Sequence, residues 1–189
     1  MKIVFFGTPH FAATNLNVLI NAGYDIVGIV CPPDSKKGRG KQLKPCAVKE
    51  VGIENNIPVL QPLKLRDDDF IHQLKSLNAD LFVVVAFRML PQSVWDLPNK
   101  GTINLHTSLL PNYRGAAPIN WVLINGEKET GITTFFIDQQ IDSGAIIKQQ
   151  KIILTDKTTA AELHNTLMNK GSDLLINTLN SIKNNTVSH

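Results

Sequence analysis

The sequence predicts an α/β fold: a doubly wound, mostly parallel sheet in one domain over residues 1–182, followed by a polar tail at 183–189. Three observations predict it. The chain opens strand-helix-strand, the first unit of a parallel sheet. Its strongest apolar run, Leu81–Phe87 (LFVVVAF), has the character of a strand buried on both faces. Its closing segment carries a capped amphipathic helix that needs a sheet to pack against.

Ile3–Phe6 is a short continuous apolar run and forms the first strand. Gly7-Thr8-Pro9 ends it, with Thr8 as the expected N-cap and Pro9 as the first helical residue. Ala12, Leu16, Leu19 and Ile20 share one helical face, and Gly23 closes the helix. Asp25–Val30 is the second strand. A loop is expected from Cys31 to Pro45, then a helix with Val48 and Val51 inward, then a brief strand at Val59-Leu60. Asp67, Asp68 and Asp69 favour a helix N-terminus through the macrodipole, with Phe70, Ile71, Leu74 and Leu77 on the buried face. Leu81–Phe87 is expected at the sheet centre, and Thr102–His106 is the next strand. Pro118 starts a short helix that stops at Gly126. Ile132–Ile137 and Ala145–Leu154 are β-branched runs around a turn, and at least one is expected to be antiparallel. Thr159 and Glu162 form a capping box for the last helix, whose stripe is Ala160, Leu163, Leu167, Gly171, Leu174, Thr178 and Ile182.

The 43% hydrophobic and 19% charged content excludes a disordered chain. The net charge of +3 says little about partners by itself. Cys31 and Cys46 form no C-x-x-C pair, so neither a disulfide framework nor a four-ligand zinc site is expected, and no metal is called for. No apolar stretch approaches the roughly 20 residues of a membrane span. The opening MKIVFFGTPHF lacks a signal-peptide pattern, so a cytoplasmic protein with no membrane contact is expected. No long exposed apolar stripe calls for a dimer, and a monomer is expected.

Gly7-Thr8-Pro9 lacks the further glycines of a dinucleotide-binding turn. Gly38-Arg39-Gly40-Lys41 has no Ser or Thr after its lysine, which excludes a P-loop. Lys36, Lys37, Arg39, Lys41 and Lys44 nevertheless gather five positive charges in nine residues, an arm suited to phosphates. It holds no aromatic residue on which bases could stack.

The richest stretch is Asn104–Pro118, reading NLHTSLLPNYRGAAP. Asn104 and His106 are two apart on a strand and point to one face. They lie at the strand's carboxyl end, where open α/β sheets bind ligands. With the carboxylate of Asp142 in the turn Gln140–Gly144, the set suits stabilisation of an oxyanion by amide and imidazole donors, the acid orienting the imidazole.

These motifs, N-x-H-x-S-L-L-P-x-Y-R-G-A-A-P-I-N-W followed by I-D-S-G, resemble those of the 10-formyltetrahydrofolate-dependent formyltransferases, most of all the members whose acceptor is methionyl-tRNA. The resemblance runs from Met1 to about Ile182. It implies a Rossmann-like fold, formyl transfer from 10-formyltetrahydrofolate to the α-amine of initiator methionyl-tRNA, and a catalytic set at Asn104, His106 and Asp142. It assigns folate binding to Arg88, Met89 and Leu90, to Ser108, Leu109, Leu110 and Pro111, and to Gln139, Gln140 and Ile141. It assigns tRNA contact to the basic arm, Lys36, Lys37, Arg39, Lys41 and Lys44. The tRNA enzymes also carry a C-terminal β-barrel domain, for which residues 1–189 are expected to hold no counterpart. Phe87 and Arg88 stand where many members have tyrosine and glycine. An amino-sugar-nucleotide formyltransferase is the nearest alternative, and Ala116-Ala117-Pro118 with the basic arm argues against it. Glycinamide ribonucleotide formyltransferases depart after the S-L-L-P motif. A non-catalytic RNA- or folate-binding module has no need of the Asn-His-Asp set.

Overall fold

The structure is a computed structural model that describes residues 1–37 and 42–187, with the backbone alone at 36, 37 and 42. The chain divides into two compact units, Met1–Thr102 and Ile103–His189.

The first unit holds β1 (Lys2–Gly7), α1 (His10–Asn21), β2 (Asp25–Val30), β3 (Ser35–Lys37), β4 (Gln42–Lys44), α2 (Ala47–Glu54), β5 (Val59–Leu60), α3 (Asp68–Ser76), β6 (Leu81–Val85) and α4 (Gln92–Trp95). Within it β1 pairs in parallel with both β2 and β6, and β2 pairs in parallel with β5. The chain thus builds outward from β1 on one side, then returns to add β6 on the other. That reversal is what makes a sheet doubly wound. Every residue of β6 is buried, as its unbroken apolar run requires.

Four features differ from expectation. The strand expected over Leu81–Phe87 ends at Val85, because Ala86 turns left-handed at φ 48°. Pro9, not Thr8, is the N-cap of α1, and its carbonyl accepts from Ala12 at 3.0 Å and Ala13 at 3.1 Å. The stretch Cys31–Pro45 is not all loop: β3 and β4 pair antiparallel, Lys36 opposite Leu43. The single turn α4 is too short to leave a periodic trace in sequence.

The second unit takes up β7 (Thr102–His106), α5 (Pro118–Ile124), β8 (Glu129–Phe136), β9 (Ile146–Ile153) and α6 (Ala160–Lys183). β8 lies between β7 and β9 and pairs antiparallel with each. The α6 capping box forms as expected: Thr159 Oγ1 accepts the Glu162 amide at 3.2 Å, while Glu162 Oε2 accepts the Thr159 amide at 2.9 Å. Of the expected stripe only Ala160 is exposed. Thr178 on that stripe meets Thr134 of β8 hydroxyl to hydroxyl at 2.7 Å, so two buried polar groups satisfy each other. No helix among the described residues is long and apolar enough to cross a membrane.

Candidate active site

The site in the second unit is built on a row of polar residues crossing its three strands. His106 on β7 stands opposite Thr133 on β8, which stands opposite Gln149 on β9. Thr133 Oγ1 donates to the Ser108 carbonyl at 2.7 Å and accepts from the Leu110 amide at 3.2 Å and Gln149 Nε2 at 2.9 Å. Gln149 also donates to the Leu110 carbonyl at 2.8 Å. These bonds fix the turn that leaves β7 directly after His106. Sequence reasoning missed Thr133 and Gln149; the signal was polar residues inside otherwise β-branched runs, which a buried position must satisfy.

His106 and Asp142 come together as expected. Nδ1 faces Asp142 Oδ2 at 3.6 Å, and the two side chains are only 9% and 14% exposed. The other ring nitrogen, Nε2, donates to the Tyr113 carbonyl at 2.8 Å. Both nitrogens therefore face oxygen atoms, and only the Nε2 contact is short enough to be a hydrogen bond. The position expected for an oxyanion donor on His106 is taken by a backbone carbonyl. Asn104, half-buried two residues earlier on β7, has no side-chain partner among the described residues, which leaves its amide as the open donor.

Asp142 is held by two hydrogen bonds in a left-handed turn. Its Oδ2 accepts the Gly115 amide at 2.8 Å, its carbonyl accepts Arg114 Nε at 2.9 Å, and its own backbone is left-handed at φ 50°. Two residues on, Gly144 is pressed to the main chain: a Cβ there would lie 1.7 Å from the Phe136 carbonyl oxygen. Only glycine lets the connection between β8 and β9 turn back so tightly. Tyr113 at φ 56° and Ala117 at φ 55° are also left-handed non-glycine residues. Such conformations cost of order 1–3 kcal/mol each and persist where the surroundings over-determine them.

The residues assigned to folate by resemblance take different places. Ser108 is fully buried and donates its hydroxyl to the Asn112 carbonyl at 2.6 Å, so its side chain holds the turn. Leu109 packs over Gly131, where a Cβ would lie 2.4 Å from Leu109 Cδ2. Leu110 is buried, while Pro111 is exposed. Gln139, Gln140 and Ile141 are exposed on the connection that carries Asp142, which Asp138 Oδ1 braces by accepting the Gln140 amide at 2.9 Å and Ser143 Oγ at 2.8 Å. In the first unit, Arg88 donates to the carbonyls of Leu63 at 3.0 Å and Pro62 at 2.6 Å, Met89 is exposed, and Leu90 is buried. Of the basic arm, Lys36 and Lys37 lie on β3 and Lys44 on β4, while Arg39 and Lys41 lie outside the described residues. Behind the arm, Lys49 Nζ and Gln61 Nε2 donate to Asp34 at 2.7 and 2.9 Å, and they hold its carboxyl below the ordinary carboxylate range.

With this geometry in hand, comparison with known proteins gives a consistent result. A family model described as formyl transferase matches residues 1–179. The chain is 53% identical over 187 residues to a methionyl-tRNA formyltransferase of Flavobacterium johnsoniae, covering 99% of this chain and 59% of that protein. It is 52% identical over 184 residues to one from Clostridioides difficile, covering 97% and 60%. The chain thus spans about three fifths of the length of these curated relatives. Among solved structures, a phosphoribosylglycinamide formyltransferase from Bacillus halodurans superposes with a TM-score of 0.80 at 20% identity, over 95% of this chain and 93% of that one. A sugar 3N-formyl transferase, solved with dTdp and 5-N-formyl-THF, gives a TM-score of 0.73 at 22% identity, over 100% and 65%. At such identities the likeness shows the α/β fold.

Proposed function

The chain belongs to the formyl transferase family, and we propose on that basis that it transfers a formyl group from 10-formyltetrahydrofolate to the free α-amino group of initiator methionyl-tRNA. The observation that carries the reading is the close pair His106–Asp142 on the same unit as the Asn104 amide, which has no side-chain partner among the described residues. A binding module gains nothing from a carboxylate oxygen shared between a histidine and a backbone amide. A reaction that must take a proton from an attacking amine and stabilise charge on an oxygen uses each of these groups.

The formyl donor, when bound, supplies the carbon that the amine attacks; the new C–N bond replaces the bond to N10, and tetrahydrofolate leaves with the proton the amine gives up. Asn104 Nδ2 donates to the oxygen on which negative charge develops. His106 and Asp142 carry the proton balance: Asp142 is the carboxylate that faces the imidazole, at 3.6 Å from Nδ1, and the Gly115 amide keeps its Oδ2 in place. The exposed connection Gln139–Ile141 and the exposed Pro111 are the surfaces of this unit assigned to the formyl donor, while Ser108 and Leu110, buried and bonded to the protein, hold the turn beneath Pro111. The basic arm is assigned to phosphates of the tRNA, an interaction that weakens steeply as salt rises.

The test is formyl transfer from 10-formyltetrahydrofolate to methionyl-charged initiator tRNA across a salt series, with Asp142→Asn as control. Transfer that falls with salt and disappears in the variant is the expected result. A folded chain that formylates a nucleotide-linked amino sugar, and leaves the tRNA untouched, overturns the assigned acceptor.

A further inference from the structure

Three consecutive residues, Tyr113, Arg114 and Gly115, grip the His106–Asp142 pair at both ends. The Tyr113 carbonyl holds His106 Nε2 at 2.8 Å, Arg114 Nε holds the Asp142 carbonyl at 2.9 Å, and the Gly115 amide holds Asp142 Oδ2 at 2.8 Å. A main-chain grip of this kind is only as accurate as the segment that presents it. Tyr113 and Gly115 are both left-handed, at φ 56° and 83°, so the segment has a shape that the backbone does not favour unaided.

What holds that shape is the Tyr113 side chain. Its phenol donates to Glu127 Oε1 and accepts from Asn125 Nδ2 at 3.0 Å. Asn125 is the C-cap of α5, its amide bonded to the Trp121 carbonyl at 2.9 Å, and the Glu127 amide returns to the Val122 carbonyl at 3.1 Å. The phenol is therefore latched to the end of a helix whose first residue, Pro118, lies just beyond the gripping segment. Helix and latch close one ring around residues 113–127. The hydrogen bond to Glu127 also pushes the Tyr113 phenol above its ordinary value.

We infer that Tyr113 and Glu127 are positioning residues for the reacting pair: the phenol-carboxylate latch sets the turn whose carbonyl and amide aim His106 and Asp142. The inference rests on the proposed reading of that pair. It assigns Tyr113 and Glu127 no contact with either substrate.

The test compares the full chain with Tyr113→Phe, Glu127→Ala and Glu127→Gln, thermal unfolding confirming that each folds. The first readout is NMR exchange of the His106 Nε2 proton with water, which needs no substrate. Exchange rises roughly tenfold in Tyr113→Phe and Glu127→Ala, and Glu127→Gln stays near the unaltered chain because its amide oxygen still accepts the phenol. The second readout is steady-state formyl transfer: kcat falls roughly tenfold in the same two variants, with KM for the formyl donor within about twofold. Nε2 exchange equal to that of the unaltered chain in both Tyr113→Phe and Glu127→Ala overturns the inference, whatever happens to turnover. Faster exchange in a chain that transfers no formyl group to any acceptor upholds the latch and removes the proposed reaction instead. Should Tyr113→Phe fail to fold, the contrast between Glu127→Ala and Glu127→Gln decides.

Discussion

Asp142 turns toward His106 the same carboxylate oxygen, Oδ2, that already accepts the Gly115 amide, at 3.6 Å from the ring and 2.8 Å from the amide. The orientation of the acid is thus set by the main chain before any ligand arrives. In Asp142→Asn the oxygen stays on the Gly115 amide and the negative charge is lost. The expected outcome is a chain with a thermal midpoint near that of the unaltered protein and turnover reduced by at least about 10³-fold. Turnover within tenfold of the unaltered chain removes Asp142 from the reaction.

Asn104→Ala removes the open amide donor from β7 without breaking a side-chain hydrogen bond among the described residues. Losing one such donor costs about 2.7–4 kcal/mol of transition-state stabilisation, a roughly hundred- to thousand-fold fall in kcat. Single-turnover kinetics isolate this step. Asn104→Asp, which replaces donor by acceptor, is expected to fall at least as far.

Gly144→Ala strikes the connection that presents Asp142. The added Cβ would fall 1.7 Å from a backbone oxygen, an obstacle that no rotamer change relieves. A destabilisation of about 3 kcal/mol or more is expected, seen as a fall of roughly 6–12 °C in thermal midpoint. Gly115→Ala, at φ 83° with open space around it, is expected to be milder.

Cys31 and Cys46 are both buried, and the Cys31 thiol is pushed up by its hydrogen bond with Cys46 and then by burial. The unfolded thiol ionises near about 8.5 and the folded one well above it. The stability this provides is fully present below the unfolded value and lost as pH rises past it. Urea midpoints measured at rising pH should decline more in the unaltered chain than in Cys31→Ser. Alkylation at neutral pH should reach these thiols only after unfolding.

Asp34 gives the opposite dependence. Lys49, then Gln61, hold its carboxyl low, so the stabilisation exists above the unfolded carboxylate range and is lost as pH falls through the folded value. Acid titration followed by NMR at Asp34, with and without Lys49→Met, reads the difference directly.

Much of this fold could be read from residue pattern. β5 and β7 fall where their apolar runs were bounded by turn residues, and α6 begins at the capping box that Thr159 and Glu162 announce. The hairpin β3–β4 could not, because Ser-Lys-Lys and Gln-Leu-Lys show neither alternation nor β-branched residues. Asn104, His106 and Asp142 were legible because a spacing of two on a strand and an acid in a glycine-bounded turn are side-chain signals. The Tyr113 carbonyl on His106 was not, since every residue type carries a carbonyl and nothing in a sequence says where it points.

The order of strands in the second unit has one more consequence. His106 ends β7, Asp142 sits in the connection from β8 to β9, and β8 runs between the two strands. Until both pairings have formed in register, the histidine has no carboxylate to face, and a slip of one residue would turn it to the wrong side of the sheet. Completing the sheet is therefore the event that brings the two side chains face to face.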